Sequence, residues 1–594
     1  MCKPLLRRFD DVSEKCRDLA ASCVLKLLRS CPDEALGLLP YVVPVLEERL
    51  RRKPAVVGGG AAGPAEPSEE VRLTLAQLFG FLVSQVGQAV CAYAGEVLAV
   101  LEAALGDAYH EVNLEACSCV HALVASLGMR LQPVSKQLVA GLLPLTTHKR
   151  YRVRVAALRA LGPLMHQGAH EMILEMVGHR DPNMVPVAAF YGDPDLRVNF
   201  CGKLAADANA QVRLEFLRVV GDWMLRLPER VDHEGRLLPF LLAGMVDEGP
   251  QVSCEAARLL DQLGEQYEQE HEAEVKELLR YCPAEAAATE AAADGGITAV
   301  NSCTGLGALA SAGGPGAAQQ EWLPTALAAA PPRLGARLLV QGNAGRLLAP
   351  MCAELSSWQA GPRTRCVALL EAVLLLLGRK AEGHLQLLVP ALTKAIREST
   401  TRQQVESCCA LLGRACSVPE LLALLLPRVR DAGADACARA DALLALAHVL
   451  RGSGAGDGGS AAEAAPIVLE LLLDPEVGES DDKHLRASCL EAARQLIAAC
   501  PPAVLAEHAP QLLVVALLSL ASDRAGLVRQ DATAAAAAEA EVAAMQAEEA
   551  EQLLRMLAGA VGATREGGGG GSGDGSVDRL LAQHREMVLR LVIS

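Results

Sequence analysis

Two short sequence motifs contain residue types that are typical of catalytic or metal sites, and each lacks the partner residues that its chemistry requires. His179-Arg180-Asp181 matches the catalytic-loop motif of protein kinases, in which the Asp accepts the proton of the substrate hydroxyl. The required Asn is missing at its spacing because Asn183 comes too early, and no Gly-rich phosphate loop is present. Asp232-His233-Glu234 carries metal-ligand types, but no second His or Cys lies near it in the sequence. We therefore interpret the first phrase as a loop and the second as a turn that contains a structural histidine.

Other catalytic motifs are absent from the sequence. The sequence contains no Walker A, His-Glu-x-x-His, Gly-x-Ser-x-Gly or Gly-x-Gly-x-x-Gly motif. The 19 cysteines are scattered without a Cys-x-x-Cys pair, and the closest are Cys117/Cys119 and Cys408/Cys409. We interpret them as reduced core residues, which are typical of a reducing compartment. The sequence thus predicts a protein that is not an enzyme and that has no cofactor and no bound metal.

Positive charge is concentrated in two stretches, His148–Arg154 and Arg49–Lys53. Within the first, Lys149, Arg150 and Arg152 are candidate partner-binding residues, because they are suited to an acidic segment of another protein. The alternative, which this pattern favours, is solvated loop charge. The formal net charge of −16 and the pI of about 5.4 disfavour binding to nucleic acid, which needs Lys and Arg to neutralise phosphates.

Apolar segments give no sign of membrane insertion or export. The longest runs, near 369–377 and 512–520, are too short to span a bilayer. Residues 1–8 lack the apolar run of a signal peptide. We therefore predict a cytoplasmic protein that has no membrane partner.

A repeated sequence motif with a central valine predicts the helices that carry these residues. The valines lie at 71, 112, 153, 212 and 252, so the steps are 41, 41, 59 and 40 residues. Apolar residues follow each valine at helical spacing, and Ala and Leu must fill the core because aromatic residues make up only 3% of the chain. The sequence predicts an all-α fold, a HEAT-repeat α-solenoid in which antiparallel helix pairs stack into a superhelix.

Two positions around the valine recur for a structural reason. An Asp in one turn can pair with an Arg that follows the valine in the next unit, which predicts a ladder along one edge of the stack. Asn113 and Ser253 replace Arg in two units and interrupt the ladder. Trp223 lies at helical spacing from Phe216 and Val220, so we predict that it belongs to the core.

Composition divides the chain into four parts. Residues 1–282 are predicted to form an N-terminal HEAT array, and residues 283–330 an Ala/Gly-rich disordered linker. A HEAT-like array is predicted for 331–560, followed by a flexible Gly-rich segment with a terminal helix over 561–594. A long loop is predicted near 178–200, where the 59-residue step lies.

Two groups of residues carry a resemblance to a known family. The first group is Gln211-Val212-Arg213, Val219–Leu225, Arg236–Leu242, Asp247-Glu248 and Leu263–Glu270. The second is Asn343, Leu347, Pro350, Cys352, Glu354-Leu355, Trp358, Arg365 and His384-Leu385-Gln386. With them the chain resembles the HEAT-repeat dynein axonemal assembly factor 5 family over roughly residues 5–282 and 335–412. It departs from the family in its short N-terminus, its insertions at 178–200 and 283–320, and its degraded C-terminal array.

The resemblance implies a non-catalytic scaffold for cytoplasmic preassembly of outer and inner axonemal dynein arms. The partners that it implies are dynein heavy and intermediate chains, other dynein assembly factors and Hsp70/Hsp90-type chaperones. Binding is expected on a concave surface lined by the second helix of each unit, and Trp358 joins the candidate partner-binding residues. The alternative is a generic HEAT adaptor, such as a phosphatase scaffold or a transport receptor.

Overall fold

The computed structural model describes residues 2–53, 63–178, 199–281, 333–356, 360–454, 459–478, 480, 482–527, 548–561 and 577–585. His179-Arg180-Asp181, most of the loop predicted at 178–200, the predicted linker 283–330 and Trp358 lie outside the described residues. Residue contacts divide the chain into two units, Met1–Leu263 and Gly264–Ser594. The predicted domain boundaries at 282, 330 and 560 stay a prediction.

The first unit consists of helices that alternate between two layers. Its helices are α1 (Cys2–Leu6), α2 (Glu14–Ser30), α3 (Ala35–Leu50), α4 (Glu69–Val86), α5 (Ala94–Leu105), α6 (His110–Leu127), α7 (Gln132–Leu142), α8 (Tyr151–Met165), α9 (Met172–Met176), α10 (Phe200–Ala205), α11 (Ala210–Arg226), α12 (Arg230–Met245) and α13 (Pro250–Glu270), within which the division between the units falls.

Stacking of these helices follows a simple rule. The second helix of each pair packs on the second helix of the next pair, through the series α2, α4, α6, α8 and α11. The first helices, α3, α5, α7 with its 3-10 extension Leu143–Thr147, α10 and α12, form the other layer. The repeated valines face the junction between the layers and are all buried, which confirms the prediction from the repeat; they are Val71, Val112, Val153, Val212 and Val252.

Glycines end two of the stacked helices. Gly87 follows α4 with a φ of 54°, and Gly128 follows α6 with a φ of 53°. A side chain at either position would clash with the backbone, so glycine adopts this conformation at the least cost. The chain then enters a 3-10 segment, Gly87–Tyr93 or Gly128–Leu131, before the next first-layer helix begins.

Two stretches of the described residues, Glu69–Leu105 and His110–Thr147, are long and apolar enough to cross a membrane, with mean hydropathies of 1.4 and 1.3. Each stretch is divided by the 3-10 segment described above, so neither is one continuous α-helix. Their apolar residues pack against neighbouring repeats, as those of core helices do.

One small element departs from the all-helical prediction. Strand β1 (Arg52–Lys53) pairs antiparallel with strand β2 (Gly63–Pro64), so that Arg52 is opposite Pro64. It joins α3 to the turn before α4. Apart from this pair, the described residues confirm an all-α fold of HEAT-type helix pairs.

The second unit has the same two-layer organisation. Its helices after α13 are α14 (Glu272–Tyr281), α15 (Leu334–Gly342), α16 (Ala344–Glu354), α17 (Ala360–Leu377), α18 (Leu385–Ala395), α19 (Arg402–Ala415), α20 (Val418–Val429), α21 (Ala436–Ser453), α22 (Gly459–Leu472), α23 (Pro475–Gly478), α24 (Lys483–Ala499) and α25 (Pro502–Leu527). Residues 548–561 and 577–585 are also helical. One layer contains α15, α17, α19, α21 and α24, and the other contains α16, α18, α20, α22 and α25.

Glycine permits one very close helix crossing in this unit. A Cβ atom added to Gly413 of α19 would lie 2.0 Å from the carbonyl oxygen of Val449 in α21. Reciprocally, a Cβ atom added to Gly452 of α21 would lie 1.8 Å from the carbonyl oxygen of Ala410. The backbones of α19 and α21 therefore meet where neither can carry a side chain.

Candidate protein-interaction face

The candidate site is built on a ladder of ion pairs along the turns of the first unit. Arg72 at the start of α4 pairs with Asp107 in the next turn, with Nε 2.7 Å and Nη2 2.9 Å from the carboxylate oxygens. Arg213 pairs with Asp247 in the same bidentate way, at 2.6 and 2.8 Å. Arg154 also pairs with the next acid, Asp207, at 2.7 Å. These contacts confirm a ladder of Asp and Arg, but the predicted direction was wrong, because each Asp pairs with the Arg of the preceding unit and not of the next one.

The first rung uses a glutamate in place of the predicted aspartate. Arg17 makes two 2.8 Å hydrogen bonds to Glu66, which is fully buried. Arg49 donates a further hydrogen bond of 2.5 Å to Glu66 and one of 2.7 Å to Asp10. Arg51 lies 3.7 Å from Glu47. Acids thus neutralise both arginines whose side chains are described in the basic stretch Arg49–Lys53.

Each ladder residue also fixes its own turn. The acid accepts the backbone N–H two residues further on, as Asp107 does from Tyr109 at 2.8 Å and Asp247 does from Gly249 at 2.8 Å. The arginine donates through Nη1 to a carbonyl oxygen before its helix, as Arg213 does to Asp207 at 2.7 Å. The ladder therefore closes turns and joins successive repeats, which is a structural role.

One rung differs in both of its positions. Asn113 occupies the arginine position of α6, and its amide donates to the carbonyl oxygens of Ala104, Leu105 and Asp107 at 3.0–3.1 Å. His148 occupies the acid position of the next turn, where Nδ1 accepts the N–H of Arg150 at 3.1 Å. Partial burial and nearby cations lower the pKa of His148, and neither side chain of this rung supplies a negative charge.

The candidate residues Lys149, Arg150 and Arg152 lie directly after this uncharged rung. All three side chains are exposed. Among the described residues, none of the three has an acidic partner within ion-pair distance, whereas Arg154 in the same stretch is paired with Asp207. The structure therefore separates one structural cation from three that face solvent.

A cleft of about 570 Å³ opens beside Arg152 on the outer side of the second-helix layer. Its lining comes from α6, α8 and the start of α11, and comprises Leu114, Cys117, Ser118, His121, Tyr151, Arg152, Val155, Ala156, Arg159 and Gln211. Positions 114, 118 and 121 are spaced by four and three residues, so they share one face of α6. Position 152 shares a face of α8 with 155 and 159 in the same way.

The cleft contains both fixed polar groups and apolar surface. Arg159 lies 3.3 Å from Glu215 of α11, and His121 Nδ1 donates to the Arg159 carbonyl oxygen at 3.1 Å. Tyr151 is 38% exposed, so its ring is available to a ligand. Burial raises the pKa of Cys117 to about 12, which leaves it as a thiol and not a nucleophile.

A second cleft, of about 600 Å³, lies on α19, α21 and α24 in the second unit. Its charged groups are largely paired with each other. Arg397 lies 2.9 Å from Asp441, Arg402 lies 2.9 Å from Glu406, and His448 lies 3.5 Å from Glu406. Sequence reasoning missed this cleft; polar residues at helical spacing in α19 and α21 are the signal for it.

The candidate metal ligand His233 and the aromatic residue Trp223 both lie buried in the helix stack. His233 is 4% exposed in α12, and its Nε2 lies 3.2 Å from Nδ1 of His170, while Asp232 is exposed. The described residues contain no group of three or more His, Cys, Asp or Glu side chains that could hold a metal ion. Trp223 is fully buried and donates to the carbonyl oxygen of Gly162 at 2.9 Å, which confirms it as a core residue.

The fold of each unit, together with the cleft on its stacked helices, defines a HEAT-type helical-repeat protein. Two family models match this chain. "Dynein axonemal assembly factor 5-like, TPR repeats" matches residues 1–185 and 196–278, and "Dynein axonemal assembly factor 5, HEAT-repeat domain" matches residues 326–522. The chain belongs to the dynein axonemal assembly factor 5 family.

The first model's description names TPR repeats, which have a period of about 34 residues, whereas HEAT repeats have about 40–47. Valine steps of 41, 41 and 40 in this region give units of HEAT length.

Curated relatives agree with the family models. Dynein axonemal assembly factor 5 of Mus musculus is 29% identical over 456 residues, which is 75% of this chain and 45% of the relative. The Homo sapiens protein is 28% identical, with the same coverage. The chain thus spans about half the length of the curated relatives it matches.

Among solved structures, importin beta aligns at a TM-score of 0.34 and 11% identity, covering 95% of this chain and 66% of that one. A designed armadillo repeat protein aligns at 0.31 and 13%, covering 44% and 98%. Likenesses this distant support no conclusion about function.

Proposed function

We propose that this chain is a non-catalytic scaffold for the cytoplasmic preassembly of axonemal outer and inner dynein arms. In this role the helix stack holds dynein heavy and intermediate chains while they fold and associate. Hsp70/Hsp90-type chaperones and other dynein assembly factors act on the same clients. The chain contributes binding and no bond-making step.

The observation that carries this proposal is the match of both helical arrays to one family of dynein assembly factors. The curated relatives have that name in mouse, human, frog and fly. The second-helix layer supplies a physical basis for client binding. Within each unit, many weak contacts along this layer can add up to tight binding of a large client.

Deletion of the gene in a ciliated cell tests the proposal. We expect axonemes with intact doublet microtubules that lack both outer and inner dynein arms in electron micrographs. Dynein heavy chains should accumulate in the cytoplasm or be degraded, because unassembled chains expose apolar surface. Re-expression of the wild-type chain should restore the arms.

Two outcomes would contradict this role. Axonemes with a normal complement of arms would show that arm assembly does not need the chain. Loss of doublets together with the arms would place its action in axoneme construction and not in dynein assembly.

A further inference from the structure

We propose that the exposed turn Lys149–Arg152 and the adjoining cleft between α6 and α8 form a binding site for an acidic segment of a partner protein. This inference rests on the proposed function insofar as the chain acts by binding other proteins. It goes beyond that function by giving the site and the chemistry of the segment that the site takes.

The uncharged rung lacks the acid that the other rungs contain. At every other rung of the first unit an acid stands six residues before the ladder position, at Asp11, Glu66, Asp107, Asp207 and Asp247. In this turn His148 takes that place, and it holds the turn closed by the same backbone contact without supplying a negative charge. The turn is thereby kept closed, and it contains no carboxylate of its own beside Lys149, Arg150 and Arg152.

The other basic stretch differs from this turn in its ion pairs. In Arg49–Lys53, the Arg49 side chain contacts both Glu66 and Asp10, and Arg51 lies near Glu47. A ligand there would compete with acids of the chain itself. At Lys149, Arg150 and Arg152 no such competitor is present among the described residues, so a bound carboxylate gains the full interaction.

The dipole of α8 also favours binding of an anion at this turn. The first turns of α2, α4 and α6 contain the acids Glu14, Glu69 and Glu111, which complement the positive end of a helix dipole. The first turns of α8, α11 and α13 contain no acid, and of these three helices only α8 directly follows two exposed cations, Lys149 and Arg150. Cations at this end of a helix are disfavoured, and an external anion relieves that repulsion.

The cleft indicates that the anion belongs to a polypeptide. Tyr151 and Arg152 lie at the junction between the cationic turn and the cleft, whose interior includes the apolar side chains of Leu114 and Val155. An acidic residue followed by an apolar one matches both parts. A nucleic acid requires cations extended along its backbone, and the chain's charge of −16 opposes such a polyanion.

Fluorescence anisotropy of the full chain with a labelled Glu-rich peptide that contains leucines tests this site. The reference is the same peptide with every Glu replaced by Gln. We expect the Glu peptide to bind in a salt-dependent manner and the Gln peptide to bind at least about tenfold more weakly, which is the sum expected of three exposed ion pairs. The triple variant Lys149→Gln/Arg150→Gln/Arg152→Gln should lose the same factor.

Two further variants separate the site from bulk charge. Lys15→Gln/Lys26→Gln/Arg29→Gln removes the same charge from exposed positions of α2 and should leave peptide binding unchanged. His148→Asp, with Asn113 kept, places a carboxylate that has no ladder arginine beside the three cations, and should weaken peptide binding several-fold while leaving all three cations in place. Melting temperatures no lower than the wild-type value would show that each variant is folded.

Equal binding of the two peptides, or equal losses in the α2 variant and the Lys149 variant, would overturn the proposal. Tighter binding to a DNA oligonucleotide or to phosphatidylserine vesicles than to the Glu peptide would also overturn it. The peptide assay contains no dynein chain, so failure here leaves dynein assembly standing. Peptide binding without any arm defect in deleted cells would instead refute the proposed function and keep the site.

Discussion

Replacement of Arg213 by Met is the sharpest test of the ladder as a structural device. Arg213 makes two hydrogen bonds to Asp247, at 2.6 and 2.8 Å, and one to the carbonyl oxygen of Asp207, at 2.7 Å. It is the contact with Asp247, first of all, that raises the pKa of Arg213. Met keeps much of the side-chain volume and removes every donor.

The size of the effect follows from how little water reaches the pair. Side-chain exposures are 16% for Arg213 and 11% for Asp247, so the carboxylate left behind regains only part of its hydration. Removal of one partner of a buried pair costs about 3–5 kcal/mol, whereas an exposed pair is worth about 0–1 kcal/mol. For this partly shielded rung we expect a loss of about 2–4 kcal/mol.

Hydrogen exchange measured by mass spectrometry suits this protein because stacked repeats can open locally. Arg213→Met should accelerate exchange in α11, α12 and the turn between α12 and α13. Arg218→Met is the matched control in the same helix, since Arg218 is 51% exposed and lies 3.3 Å from Glu255. If the two variants changed exchange equally, the structural role of the ladder would be refuted.

Further predictions concern burial and close packing. Burial raises the pKa of Glu371 to about 8 from 4.5. The folded state therefore loses stability as the pH rises through this interval, and the full loss is roughly 3–5 kcal/mol. Glu371→Gln should raise the urea midpoint at pH 8 and leave it unchanged near pH 4. Gly413→Ala should cost about 1–3 kcal/mol in urea unfolding because its Cβ would meet the Val449 carbonyl, whereas Gly383→Ala, with open space around it, should be neutral. Val153 is fully buried, so Val153→Asp should lower the melting temperature far more than Val155→Asp at the half-buried cleft wall; similar effects at both positions would mean that the core face is wrongly assigned.

Residues that recur with the repeat were predictable from the sequence. Val153 and its equivalents are buried because a fixed spacing places one side chain per unit at the same junction of helices. Trp223 was identified as core from its spacing to Phe216 and Val220, and all three are buried in the structure. The ladder was predicted in outline, although Glu66 takes the place of an Asp in one rung.

Features that depend on individual contacts between repeats were not predictable. The two basic stretches look alike in sequence, and only the contacts of Arg49 show that one is neutralised. The approach of Gly413 to Val449 and the burial of Glu371 depend on how closely the helices of successive repeats pack, which residue spacing does not show. The role of His148 was missed, yet the constant six-residue spacing from acid to ladder position was a signal that could have found it.

We propose that this chain holds dynein subunits during their assembly. Affinity capture of the tagged full chain from the cytoplasm of ciliated cells, followed by mass spectrometry, tests it most directly. We predict recovery of axonemal dynein heavy and intermediate chains together with Hsp70/Hsp90-type chaperones. Recovery of nuclear cargo or phosphatase subunits, with no dynein chain, would contradict the account.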